Sequence, residues 1–224
     1  MIEIDNINVD EILTSLEESG YYIIRGMYPK EFCDTIIEQM KNVPYDRGDG
    51  GDGRCPMFDR FSEEARSFMN NPLFTELCGK HSRSTIITED TRCQAGIVSK
   101  NIGSVDSGGG WHVDNHARQF KALLYLNDVG EEGGPFAILE GSRKTHRNIQ
   151  TYAKVPGDDS ETRYSEEVLR ETPEWENLKI LTGNAGDVIL VDTSNIHRGS
   201  AIEEGTRYTL TNYFYTESMR NNGL

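Results

Sequence analysis

RYTLTNYFY, Arg207–Tyr215, is rich in aromatic and β-branched residues and reads as a β-strand. Strand alternation puts Arg207 and Thr209 on one face and Tyr208 and Leu210 on the other. Upstream the same character recurs in STIIT (84–88), QAGIV (94–98), KALLYL (121–126), PFAIL (135–139) and DVILV (187–191). Turn-forming SGGG (107–110), EEGGP (131–135) and GNAGD (183–187) separate these runs. Many short strands with glycine-rich turns predict a β-sandwich or barrel over residues 84–224. A polar insert, Thr145–Leu178, interrupts it and carries one expected helix around Ser165–Arg170.

The first 83 residues read differently. Val9, Ile12, Leu13 and Leu16 form an i, i+3, i+4, i+7 stripe, with Asn8 as N-cap and Gly20 as stop. Tyr21–Arg25 reads as a strand, and Pro29 opens a helix bearing Phe32, Ile36, Ile37 and Met40. Shorter helices are expected over Glu63–Met69 and Leu73–Cys78, the second stopped by Gly79. Between them RGDGGDG (Arg47–Gly53) is an irregular loop, not a phosphate cradle, since no GK[ST] follows. The chain is therefore expected to be one mainly β domain, 1–224, with helical support from residues 1–83.

Acidic residues outnumber basic ones 37 to 23, for a formal charge of −14. That balance argues against nucleic acid or anionic lipid as a partner. The start, MIEIDNINVDEILTSL, lacks the basic flank and apolar run of a signal peptide, and no stretch is apolar enough to span a membrane. Cys33, Cys55, Cys78 and Cys93 are scattered and expected to be reduced, so the expectation is a cytoplasmic protein.

The chemistry gathers in GGGWHVDNH (108–116). His112 and Asp114, at i and i+2 in extended chain, project to one side and can reach one ion. HxD alone is a common accident; a second histidine, His197, just past DVILVD raises its weight. Two histidines and one carboxylate leave coordination positions open, the ligand set of non-haem Fe(II) oxygenases. Arg207 with Thr209 beside it suits the far carboxylate of a dicarboxylic acid. His116 invites a dinuclear reading but lacks further ligands at short spacing, while His81 and His146 read as surface residues and Trp111 as a core or pocket-wall aromatic.

WHVD, ALLYLNDVGEEGGPFAILEGSRK and GDVILVDTSNIHRGS, with Arg207 downstream, resemble the phytanoyl-CoA dioxygenase-like family of Fe(II)/2-oxoglutarate oxygenases. GYYIIRGMYPKEFCDTII is similar to that family's opening. The resemblance implies a double-stranded β-helix of the jelly-roll, cupin-like type flanked by N-terminal helices. It implies His112, Asp114 and His197 as ligands of Fe(II), and Arg207 with Thr209 as the anchor of the 2-oxoglutarate C5 carboxylate. Gln94 falls where the family often places a side chain over that cosubstrate. With O2 as the other substrate, the resemblance implies hydroxylation of a small molecule; halogenase relatives carry a small residue where this chain has Asp114.

The family's PGSH is here EGSR (Glu140–Arg143), followed by Lys144, His146 and Arg147. With Arg198 this basic cluster either meets an anionic group of the substrate or pairs with Glu131 and Glu132. The loop Arg47–Gly53 and the insert, through Tyr152, Arg163 and Tyr164, are candidates for a substrate-ordered lid. Two rivals stand beside the oxygenase: a cupin-like metalloenzyme that does not use 2-oxoglutarate, and a non-catalytic binding or sensing domain.

Overall fold

Asn8 caps the first helix, α1 (Val9–Glu18), by accepting the Glu11 backbone N–H at 3.2 Å, and the stripe buries Ile12 and Leu16. In the computed structural model, which describes residues 7–47, 52–99, 107–155 and 162–221, the N-terminal part continues through seven more elements. These are β1 (Tyr21–Ile24), α2 (Lys30–Met40), β2 (Asp46–Arg47), β3 (Gly53–Cys55), α3 (Glu63–Met69), α4 (Pro72–Ser82) and β4 (Arg92–Ser99). Then come β5 (Ser107–His112), β6 (Phe120–Tyr125), β7 (Phe136–Leu139), α5 (His146–Ala153) and α6 (Glu166–Leu169). The chain ends with β8 (Leu178–Leu181), β9 (Val188–Asp192), β10 (His197–Gly199), β11 (Thr206–Tyr213) and α7 (Glu217–Asn221).

The strands form two sheets, ordered β1-β9-β6-β11-β4-β3-β2 and β5-β10-β7-β8, with every pairing antiparallel. This is the expected jelly roll with flanking helices. Alternation sorts its side chains into three cores. Phe136 and Ile138 of β7 face inward, packing with Tyr125, Ile189 and Val191 between the sheets. Ala137 and Leu139 face outward and join Trp111, Ile149, Ala153, Tyr164 and Leu169. On the far side of the larger sheet, Ala122, Leu124, Leu190 and Leu210 pack against Phe68, Phe74 and Leu77 from α3 and α4.

Several expectations are corrected. Besides the expected strand β1, at one edge of the larger sheet, residues 1–83 supply two unexpected strands, β3 and β2, which extend the other edge. Gly79 does not stop α4, which runs to Ser82 and ends on Arg83 at φ 53°. STIIT forms no strand; Ile86 makes one isolated bridge to Thr216, and a 3-10 turn follows. Among its described residues the insert holds two α-helices and a 3-10 helix, and both α-helices pack on the smaller sheet's outer face, with Ile149, Ala153 and Leu169 fully buried. Those helices buttress the smaller sheet; residues 156–161 and the Tyr152 side chain lie outside the described residues. Of the glycine loop, residues 48–51 likewise lie outside, while its flanks pair as β2 and β3. All four cysteines are free and buried, and among the described residues no helix is long and apolar enough to cross a membrane.

Candidate metal centre

β5 ends at His112, β10 begins at His197, and the two are cross-strand partners. That register brings the imidazole centroids to 4.4 Å. Just past His112, Asp114 turns into the same space, its backbone N–H donating to the Thr193 carbonyl at 3.0 Å. Asp114 Oδ1 lies 3.8 Å from His112 Nε2, and Oδ2 lies 3.4 Å from His197 Nε2. One ligand atom from each residue falls within 4.8 Å of the others, so a single ion can join all three.

Each imidazole is oriented through its other nitrogen. His112 Nδ1 lies 2.8 Å from the Gly110 carbonyl and His197 Nδ1 2.9 Å from that of Asn195. A carbonyl only accepts, so each Nδ1 carries the proton and each Nε2 turns a lone pair toward the shared space. Burial, helped by His197 alongside, pushes His112 down to about 4, which keeps it neutral and able to ligate. Burial works to raise Asp114, but the neighbouring Lys121 and His197 hold it well below the usual carboxylate range. Two imidazole nitrogens, that of His112 held neutral, and an ionised carboxylate suit Fe(II).

A cavity of about 300 Å³ between the sheets contains this cluster and also the other residues singled out from sequence, Gln94, Arg207 and Thr209. Arg207 is only 6% exposed, its Nε has no hydrogen-bond partner, and among the described residues no carboxylate lies in ion-pair range. Burial lowers its pKa, partly offset by the Tyr125 hydroxyl and Asp52 nearby. A buried cation without its anion is costly, so the arrangement fits a ligand carboxylate. Thr209 flanks it on the same strand, opposite Gly96, where a Cβ would come within 2.8 Å of Thr209 Oγ1. Glycine keeps that wall open. Gln94 Nε2 donates to the Tyr213 hydroxyl at 3.3 Å.

Other candidates go elsewhere. Arg143 pairs with Glu17 (2.9 Å) and stands 3.4 Å from Asp192, while Arg198 pairs with Glu166 and stacks 4.6 Å from the Trp111 ring centroid. Neither meets Glu131 or Glu132 in these pairs. His146 and His81 are buried at 4% and 3% exposure, against the surface reading. His116 stacks on His146, with Nδ1 and Nε2 3.3 Å apart, and is not among the clustered ligands. Trp111 belongs to the outer core, with its Nε1–H donated to Glu166 at 3.2 Å. Tyr164 is buried there too, whereas Arg163 does line the cavity: its segment bridges to His112 and extends the edge of β5.

Asp52, Arg54 and Lys121 also line the cavity and went unrecognised in the sequence. Lys121 had a signal: one charge among the inward positions Lys121, Leu123 and Tyr125 of an apolar strand. Asp52 and Arg54 had none, hidden at the end of a glycine-rich loop.

A jelly roll whose two histidines and one carboxylate share an open space, with a buried arginine lining the same cavity, defines the class of non-haem iron oxygenases. Residues 16–203 match the family model described as phytanoyl-CoA dioxygenase (PhyH). The chain belongs to that family of iron- and 2-oxoglutarate-dependent enzymes. No curated protein matches it by sequence. Among solved structures it is similar to the epimerase SnoN in complex with Fe3+, alpha-ketoglutarate and nogalamycin RO, at 12% identity and TM-score 0.69, covering 93% of this chain and 83% of that one. It is similar also to HygX from Streptomyces hygroscopicus with nickel and 2-oxoglutarate bound, at 17% identity and TM-score 0.66, covering 92% and 87%. A third is the carbocyclase SnoK from nogalamycin biosynthesis, at 13% identity and TM-score 0.62, covering 94% and 84%.

Proposed function

We propose that this protein is an Fe(II)- and 2-oxoglutarate-dependent dioxygenase that hydroxylates a C–H bond of a small metabolite. When bound, iron supplies the activation of O2 coupled to oxidative decarboxylation of 2-oxoglutarate to succinate and CO2. His112 and His197 present Nε2 atoms fixed by their backbone partners, and Asp114 supplies the anionic ligand. Arg207 receives the C5 carboxylate through a charge-assisted contact, with the Thr209 hydroxyl beside it and Gln94 on the same wall. Phe136, stacked 5.2 Å from His197, lines the cavity beside it.

The substrate is read as small, from the cavity's size, and as bearing an anionic group. Among the described residues, Arg54, Lys121, Arg163 and Arg207 line the cavity with Asp52 and Asp114, the reverse of the chain's overall balance. That reading now stands on these residues and not on the cluster around Arg143.

The observation that carries the proposal is Arg207, a buried guanidinium with an orphaned Nε in the same cavity as the three ligands. Arg207→Ala is expected to weaken 2-oxoglutarate binding by about 2–5 kcal/mol, more than roughly 30-fold in Kd, with metal binding retained. Unchanged 2-oxoglutarate affinity would favour the cupin-like rival, and wild-type protein that releases no succinate would favour the binding domain. A product without an added oxygen atom would sink the hydroxylase part alone.

A further inference from the structure

Among the charged side chains of the cavity, Lys121 is explained neither by the ligand set nor by the cosubstrate anchor. Lys121 lies on β6, in register with Val191 and Tyr213 on its two sides, and is only 6% exposed. Its Nζ donates to Asp114 Oδ2 at 2.6 Å, closer than either imidazole comes to that carboxylate. On another side the Tyr213 ring centroid lies 4.1 Å from Nζ, and Tyr213 is itself held by Gln94. A buried ammonium is expensive unless paired, and its single carboxylate partner among the described residues is one proposed to bind metal.

We propose that Lys121 is a positioning residue that fixes the rotation of the Asp114 carboxyl group by holding Oδ2, so that this carboxylate offers the metal one oxygen and not two. The inference rests on the proposed iron reading. A carboxylate can bind an ion through one oxygen or both. A second Asp114 oxygen on the metal fills a coordination position that a chelating cosubstrate and O2 require. The charge-assisted contact to Oδ2 satisfies that oxygen and resists rotation of the carboxyl group, while Tyr213 holds the ammonium in place. Outer partners of this kind commonly set the orientation of metal ligands.

The test loads the full chain with Co(II), whose visible absorption reports coordination geometry, and then titrates 2-oxoglutarate. Lys121→Met is expected to bind cobalt at least as tightly as wild type, because a neighbouring positive charge is gone. Its spectrum before 2-oxoglutarate should differ from wild type, and its Kd for 2-oxoglutarate should rise tenfold or more. Lys121→Arg should restore both. A merely structural role would lower the unfolding temperature and leave the spectrum unchanged. Should Lys121→Met not fold, Lys121→Gln is read in the same way, since its amide ends one bond short of the contact. A wild-type spectrum and a wild-type Kd in the folded variant overturn the clamp alone. Wild-type protein that takes up cobalt but no 2-oxoglutarate overturns the proposed function, and the clamp with it.

Discussion

Two histidine–aspartate clusters occupy this fold, and only one is poised for chemistry. In the first, His81 Nε2 donates to Asp192 Oδ2 at 2.9 Å with both side chains almost wholly buried. Asp192 Oδ1 accepts the Ser194 hydroxyl (2.6 Å) and the backbone N–H groups of Ser194 (3.0 Å) and Gln119 (3.2 Å). Arg143, 3.4 Å from Oδ2, completes the set. In the second, Asp114 meets Lys121, and His112 and His197 turn their Nε2 atoms into the cavity. Residue type does not separate the two clusters. Unused acceptor capacity does, because a buried group with every partner in place has nothing left for a ligand. The satisfied cluster still serves the other one, since Asp192 opens the turn that leads through Asn195 to His197.

Paired deletions should pull the clusters apart. His112→Ala is expected to abolish metal uptake and turnover while leaving the unfolding free energy within about 1 kcal/mol of wild type. His81→Ala should do the reverse: a buried carboxylate loses its partner, costing about 3–5 kcal/mol in urea denaturation, while the folded protein keeps its full metal content. If His81→Ala unfolds like wild type, the structural assignment of this pair is wrong.

Acid should find the same difference. His112 titrates near 4 in the folded, metal-free protein and near its ordinary 6.5 when unfolded. Between those values the unfolded chain binds more protons, so stability falls as pH drops from about 6.5 toward 4. At about 1.4 kcal/mol per unit the loss approaches roughly 3 kcal/mol. Denaturation of metal-free protein across this range should show the slope, and His112→Ala should remove it. A slope unaltered in that variant would place the titrating group elsewhere.

The jelly roll was readable because most of its longer strands are apolar runs between glycine turns, as KALLYL and DVILV show. The short strands were not: β10 has three residues, one of them glycine, and exists through its pairing with β5 and β7. STIIT failed the other way, having strand composition but only an isolated bridge at Ile86. His112, Asp114, His197 and Arg207 were readable from residue type and order. The Asp192 bracket was not, because His81 and Asp192 lie far apart in sequence and only packing joins them. The basic cluster misled for the same reason: Glu17, which takes Arg143 and Arg118, comes from α1.

The smallest expected effect lies at the joint between the clusters. Gly20 has φ +88°, and a Cβ there would meet Asn195 Nδ2 at 2.4 Å. Its carbonyl accepts the Asp192 N–H at 2.8 Å, while the Asn195 carbonyl accepts the proton of His197 Nδ1 at 2.9 Å. Gly20→Ala therefore strains the backbone, at about 1–3 kcal/mol, and displaces the residue that orients a metal ligand. Loss of such an outer partner commonly weakens metal binding by roughly 10–100-fold. Gly26→Ala is the control: φ is +59°, but nothing lies within 4 Å of the added Cβ, so it brings strain without displacement. Cobalt titration should show weakened affinity in Gly20→Ala and wild-type affinity in Gly26→Ala. Equal affinities in the two variants would mean that the Asp192 bracket and the metal ligands are mechanically independent, and that the turn through Asn195 does not transmit position from one to the other.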